Sequence, residues 1–253
     1  MAPQRPALPF RVSDDADPAL IERYRPWLGP PGRGDMPDEL GLSLDAEGLA
    51  ITQGKRLSRR PSFTTGPSGW RLAHAAVKRE ALARAAGLKR GHRPAIIDAT
   101  AGLGGDGLVL ARLGCPVTLV ERNTTVAALL DDALRRAAAE NWLVEAIART
   151  TLVVADGASY LAALPAAEYP NVVYLDPMFA PTRRRGAAGK GAQLLAEIAG
   201  EPGDGDALLQ PALAAATERV VVKRHRHAAP LAETEPSFDI DGKSTRFDVH
   251  ISY

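Results

Sequence analysis

The sequence predicts an α/β fold: one mostly parallel sheet between helices, closed by an antiparallel hairpin and preceded by a small N-terminal extension. Three observations predict it. From Ile96 onward, short apolar runs alternate with segments of helical periodicity, the pattern of parallel strands joined by crossover helices. The first run enters "DATAGLGGDG" (Asp98 to Gly107), a glycine-rich turn out of a strand and into a helix. The C-terminal "SFDIDGKSTRFDVHISY" carries two alternating strands around Asp241-Gly242, the strongest short hairpin signal.

Residues 1–66 are expected to form a small subdomain or extension. Within them "LGLSLDAEGLAITQG" (Leu40 to Gly54) predicts a hairpin, and the Pro- and Gly-rich "RYRPWLGPPGRGDMPDEL" (Arg23 to Leu40) predicts irregular chain. Residues 67–253 are expected to form the main domain. It opens with "WRLAHAAVKREALARAAG" (Trp70 to Gly87), an amphipathic helix closed by glycine. Five strands follow: Ala95 to Thr100, Pro116 to Arg122, Thr151 to Asp156, Asn171 to Pro177 and Arg219 to Arg224. They are apolar at successive positions, as strands buried on both faces of a parallel sheet require. Between them, "NTTVAALLDDALRRAAAE" is a helix capped by Asn123 or Thr124, with Val126, Leu129, Leu130, Ala133, Leu134 and Ala137 at helical spacing. "DGASYLAAL" opens another helix behind Asp156, and "GDALLQPALAAATE" a further one, kinked or begun at Pro211.

With 253 residues, 45% of them hydrophobic and 24% charged, the chain has the composition of an ordinary globular protein and room for a sizeable core. No apolar run approaches the roughly 18 residues that span a bilayer, and "MAPQRPALPF" lacks the apolar centre of a signal peptide. A cytoplasmic monomer with no membrane attachment is expected. The single Cys115 cannot form an internal disulfide and is expected as a buried small hydrophobe. A net charge of +1 makes no case for nucleic acid by itself, but basic residues cluster in "KRLSRR", "RRRGAAGK" and "KRHRH".

Gly102 to Gly107 spells G-x-G-x-x-G, which suits a nicotinamide dinucleotide or S-adenosylmethionine (SAM) equally. Gly102 and Gly104 let the backbone approach a ligand with no Cβ in the way. Asp98 separates the two cofactors. A carboxylate four residues before Gly102 would repel a pyrophosphate but attract the ammonium and sulfonium of SAM. Asp106 adds a second carboxylate where a phosphate would want only N–H donors. The alternative is that Asp98 caps the turn and Asp106 the helix. A dehydrogenase sheet would also continue with another crossover helix instead of closing on a hairpin. Glu121 ends the second strand, where an acid can accept from both ribose hydroxyls of either cofactor. Asp156 ends the third, where it can accept from the adenine amine while Gly157 leaves room for the ring; a plain helix-capping role is the alternative.

"YLDPMF" (Tyr174 to Phe179) places an acid, a proline and an aromatic at the end of the fourth strand, facing the same crevice. A nucleobase amine is a poor nucleophile because its lone pair is delocalised into the ring. Asp176 and the carbonyl of Pro177 could accept its hydrogens and so orient it, and Phe179 could stack on a base held out of its helix. The competing reading is a strand-ending turn with a core phenylalanine.

"DATAGLGGDGLVLARLGCPVTLVERNTTVAALLDDAL", "VVYLDPMF", and "RVVVKR" followed by "RFDVHISY" resemble the bacterial small-subunit ribosomal RNA methyltransferase J family over roughly Arg71 to Tyr253. The resemblance implies a Rossmann-like class I SAM-dependent fold, and methylation of the N2 amine of a guanosine in 16S rRNA, as RNA or as the small subunit. It further implies SAM contacts at Gly105 and Asp106, at Glu121 with Arg122, at Asp156 and Gly157, and at Asp176. On that frame two basic clusters fall on the rim of the site, making Arg183, Arg184, Arg185, Lys190, Lys223 and Arg224 candidate phosphate contacts. No metal is expected, since His225 and His227 lack a third ligand nearby in sequence. Methylation of another RNA base or of a protein amide, and a non-catalytic RNA-binding module, are the alternative functions.

Overall fold

Two sheets organise the chain in the computed structural model, which describes residues 8–32, 40–53, 57–177, 198, 205–242 and 245–252. The smaller sheet comprises β1 (Phe10–Val12), followed by helix α1 (Pro18–Leu28), then β2 (Leu40–Asp45), β3 (Gly48–Gln53) and β4 (Leu57–Arg59). β1 pairs parallel to β2, and β2, β3 and β4 form an antiparallel meander. The expected hairpin is β2–β3, with Leu44 opposite Leu49.

Helix α1 lies partly where the sequence predicts irregular chain. Asp17 caps it by accepting from the Ala19 N–H at 2.8 Å, and Pro18 opens it, where a missing N–H costs nothing. Leu20, Tyr24 and Leu28 recur every four residues and are all buried. Pro26 falls in the last turn, so the hydrogen bond it removes is one of the last the helix would make.

The helix predicted over Trp70–Gly87 is instead two: α2 (Gly66–Ala73) and α3 (Ala81–Ala85). Arg71 donates to Glu80 at 2.9 Å, nine residues on. In an unbroken helix those residues would sit about 13.5 Å apart along the axis and on opposite faces. The ion pair therefore requires the break.

The larger sheet contains β5 (Ile96–Asp98), β6 (Val117–Glu121), β7 (Thr150–Val154), β8 (Val172–Leu175), β9 (Arg219–His225), β10 (Phe238–Asp241) and β11 (Thr245–Ile251). Its order is β10-β11-β9-β8-β5-β6-β7, parallel from β9 to β7 and antiparallel at β11 and β10. The crossover helices include α4 (Gly105–Arg112), α5 (Thr124–Ala137), α6 (Val144–Ala148), α7 (Gly157–Ala163) and α8 (Leu209–Ala215). Asn123 caps α5, accepting from Thr125 and Val126. A 3₁₀ turn over Asp206–Leu208 leads into α8, with Pro211 in its first turn, as expected.

Helix α5 joins the two sheets. Leu130, Ala133 and Ala137 belong to the core under the large sheet, whereas Val126, Ala128 and Leu129 pack with Leu42, Leu44 and Leu49 of the small one. Fully buried Asp132 stitches this seam, accepting from the Leu49 N–H at 3.0 Å, Arg135 at 2.9 Å and Arg136 at 2.8 Å. Cys115 is buried, and desolvation pushes its thiol up to about 11. Among the described residues no helix is long and apolar enough to cross a membrane.

Candidate active site at the carboxyl ends of the strands

The order of the large sheet brings the ends of β5, β6, β8 and β9 side by side, and the loop after β5 is tied to its neighbours on both flanks. Gly102 adopts φ 54° and donates its N–H to the Glu121 carboxylate at 2.8 Å. Gly104, at φ 73°, turns the chain into α4 from a left-handed conformation that favours glycine. On the other flank, the Thr100 hydroxyl accepts from the Asp176 N–H at 2.6 Å. Gly107 closes the motif by packing: a Cβ there would fall 2.3 Å from Leu119 Cδ2 and 3.2 Å from Asp98 Oδ2.

Four carboxyl groups crowd this end of the sheet. Asp98 is buried, accepts the Thr100 N–H at 3.1 Å, and has no cationic side chain bonded to it among the described residues. Burial, reinforced by the charges of Asp106, Asp176 and Glu121, raises its carboxyl well above the usual range. Burial also raises Glu121, against the N–H groups of Asn123 and Gly102 and the charge of Arg122. Asp106 differs. Burial is overcome by Lys223 at 2.8 Å, Arg71 at 2.6 Å and the Tyr174 hydroxyl at 2.7 Å, which hold its carboxyl down to about 2. Burial raises Asp176, with Lys223 opposing from 2.8 Å.

A buried carboxyl among like charges, with no side-chain cation of its own, suits a ligand that brings positive charge and disfavours a pyrophosphate. The site therefore fits the ammonium and sulfonium of SAM better than a dinucleotide. A family model for SAM-dependent methyltransferases matches residues 35–252. The ribosomal RNA small subunit methyltransferase J of Alkalilimnicola ehrlichii is 45% identical over 248 residues, spanning 94% of this chain and 93% of that one. The protein of that name from Thioalkalivibrio sulfidiphilus is 44% identical over 216 residues, 84% and 85% of the two chains.

The chain belongs to the ribosomal RNA small subunit methyltransferase J family. A SAM-dependent methyltransferase from Neisseria gonorrhoeae shares the fold, with a TM-score of 0.74 and 31% identity over 96% of both chains. The class I methyltransferase fold and the use of SAM expected from the sequence follow from these likenesses.

As a member of this family, the chain shows where its sequence-predicted residues lie. Asp98, Gly102, Gly104, Glu121 and Asp176 converge on the loop after β5. Gly105 opens α4, and a Cβ there would have nothing within 4 Å. Arg122 lies close enough to Glu121 and Asp156 for its charge to lower both carboxyls. Asp156 caps α7, accepting from the Ser159 N–H at 2.9 Å and hydroxyl at 2.8 Å. Packing against the chain after β5 by itself calls for glycine at Gly157: a Cβ would meet the Ala99 carbonyl oxygen at 2.3 Å.

Two expected phosphate contacts are placed otherwise. Lys223 is held between Asp106 and Asp176, inside the site. Arg224 is buried at 8% exposure, its guanidinium donating to the Ala229 carbonyl and closing the turn after β9. Neighbours on β9 point to opposite faces, so Lys223 and Arg224 do not share one basic face. Phe179, Arg183, Arg184, Arg185 and Lys190 lie outside the described residues. Sequence reasoning missed Thr100, Arg71 and Tyr174. Arg71 is 35 residues from Asp106 and Tyr174 is 68, distances at which only the sheet order reveals a contact.

Proposed function

We propose that the chain methylates the exocyclic N2 amine of a guanosine in small-subunit rRNA, with Asp176 and the Pro177 carbonyl orienting that amine. When bound, SAM supplies an electrophilic methyl group on a sulfonium. The protein's part is to hold donor and acceptor in line. In this reading Asp98 faces the positive charge of the cofactor, the Gly102–Gly105 turn admits it, Glu121 accepts from its ribose, and Arg122, Asp156 and Gly157 border its adenine end.

The observation that carries the reading is the Lys223–Asp176 ion pair at the end of β8, beside a loop that leaves Asp98 uncompensated. Burial alone would favour a protonated Asp176; Lys223 favours the carboxylate, and only the carboxylate offers both oxygens as acceptors. Accepting from an amine hydrogen pulls the lone pair out of conjugation and aims it at the methyl group. Pro177 has no N–H, so the turn presents its carbonyl without a competing donor. After transfer the amine is acidic, and its proton leaves to Asp176 or water. Phe179 is assigned to stacking on the extruded base, and Arg183, Arg184, Arg185 and Lys190 to the flanking phosphates. The relatives' name supports small-subunit RNA as substrate, and a reaction in the bacterial cytoplasm goes with that substrate.

The test is Asp176→Ala. Loss of an orienting acceptor should lower kcat by about a hundredfold or more while SAM affinity changes far less. An equal loss in SAM affinity, with kcat preserved at saturating SAM, would make Asp176 a cofactor ligand only.

A further inference from the structure

Beside the carboxylate cluster lies a cleft of about 750 Å³, reaching from Trp70 and His74 on the α2 side to the β10–β11 hairpin, with Asp106 and Lys223 in its lining. From its lining, Lys223 donates to Asp176, the residue proposed above to orient the amine, at 2.8 Å.

Its wall holds an unusual aromatic. Trp70 is 67% exposed, yet its ring is ordered by His74, stacked at 4.5 Å between centroids and 22° between planes. The His74 Nδ1 is 2.8 Å from the Trp70 carbonyl oxygen, which fixes the imidazole against the indole. One indole face is thus covered and the other is left for a planar partner. The charges of the cleft are also uneven. Its acids are engaged: Glu80 and Asp106 by Arg71, Asp106 also by Lys223, and Asp241 by Arg226. Arg79 and Arg84 are exposed and have no side-chain hydrogen bond or ion pair among the described residues. The cleft therefore presents two uncompensated guanidinium groups near an aromatic face. Such a pairing of stacking platform and backbone-tracking cations takes single-stranded nucleic acid.

We propose that this cleft binds the nucleotide adjoining the target guanosine, with its base on the open face of Trp70 and its phosphates at Arg79 and Arg84. The inference rests on the RNA reading above and assigns that substrate a second binding surface. Binding of the neighbour there would hold the extruded guanosine beside Asp176, since both surfaces meet at Lys223.

The experiment compares the full chain with Trp70→Ala, Trp70→Phe and the Arg79→Ala/Arg84→Ala pair. A small-subunit rRNA transcript is titrated at several salt concentrations, SAM is titrated separately, and kcat and KM are measured for methyl transfer. Trp70→Ala should weaken RNA binding roughly ten- to a hundredfold, and Trp70→Phe should restore most of it. The arginine pair should flatten the slope of log affinity against log salt by about 1.4, near 0.7 for each phosphate no longer neutralised. In every variant KM for RNA should rise while SAM affinity stays at the wild-type value. Wild-type RNA affinity and salt slope in all variants, in an enzyme that still methylates the transcript, would overturn the cleft and leave the substrate reading standing. A wild-type chain that neither binds nor methylates the transcript would overturn the substrate reading, and this inference with it.

Discussion

Replacing Gly157 with alanine distinguishes two uses of a small residue at the start of α7. A Cβ at Gly157 would lie 2.3 Å from the Ala99 carbonyl oxygen, about 1 Å inside the usual C···O approach of roughly 3.3 Å. That oxygen is backbone and cannot rotate aside, so α7 or the chain after β5 must move. Overpacking of this kind costs about 1–3 kcal/mol, offset by up to about 1 kcal/mol for removing a glycine from a helix. A net loss of about 1–2 kcal/mol is expected. Ala99 leads directly into the Gly102–Gly107 turn, so SAM affinity should fall about tenfold or more in the same variant, given how strongly positioned groups respond to shifts near 1 Å. For stability alone, Gly105→Ala is the matched control: its Cβ meets nothing within 4 Å, and it should be neutral or stabilising by up to about 1 kcal/mol. Urea unfolding without ligand, paired with calorimetric SAM titration, reads both effects. A Gly157→Ala protein with the wild-type unfolding midpoint but weakened SAM binding would refute the helix–strand contact and return Gly157 to the ligand ring.

Three further expectations follow from groups already described. Asp132→Ala removes the acceptor of the Leu49 N–H and the partner of Arg135 and Arg136, and should cost about 2–4 kcal/mol in urea unfolding; a loss below about 1 kcal/mol would mean the seam does not depend on it. Asp98 and Glu121 have raised carboxyls, so a cationic ligand should bind more tightly as pH rises and release protons on binding. Titrations from about pH 5 to 8 in buffers of different ionisation enthalpy check this, and pH-independent affinity without proton release would contradict it. Asp106 works in the opposite sense: held at about 2, it contributes roughly 2 kcal/mol of stability that is full above the ordinary carboxylate range and lost as pH falls toward 2. Asp106→Asn should flatten that acid limb of the unfolding curve, and an unchanged limb would assign it to other carboxyls.

The parallel strands are legible because each is a short apolar run between turn residues, and the glycine turn after β5 because its glycines and Asp98 stand close together in sequence. What the chain hid is of two kinds. Pro26 and the Pro-Gly cluster after it masked the spacing of Leu20, Tyr24 and Leu28, although Asp17-Pro18 is a sound helix start. The helical pattern running from Trp70 to Gly87 hides the break between α2 and α3, across which Arg71 pairs with Glu80. In the candidate site, the strand-end positions of Asp98 and Glu121 are legible in the sequence. The basic neighbours of Lys223 suggest a rim position, and the fold adds what they do not encode, its ion pairs with Asp106 and Asp176.

Methyl transfer to a guanine amine oriented by Asp176 is tested most directly by incubating the full chain with methyl-labelled SAM and small-subunit RNA, both as transcript and within subunits, and digesting the product to nucleosides. The expected result is label in N2-methylguanosine from the wild type, formed about a hundredfold or more slowly by Asp176→Ala. Label in any other nucleoside, or in protein with the RNA unlabelled, would contradict it.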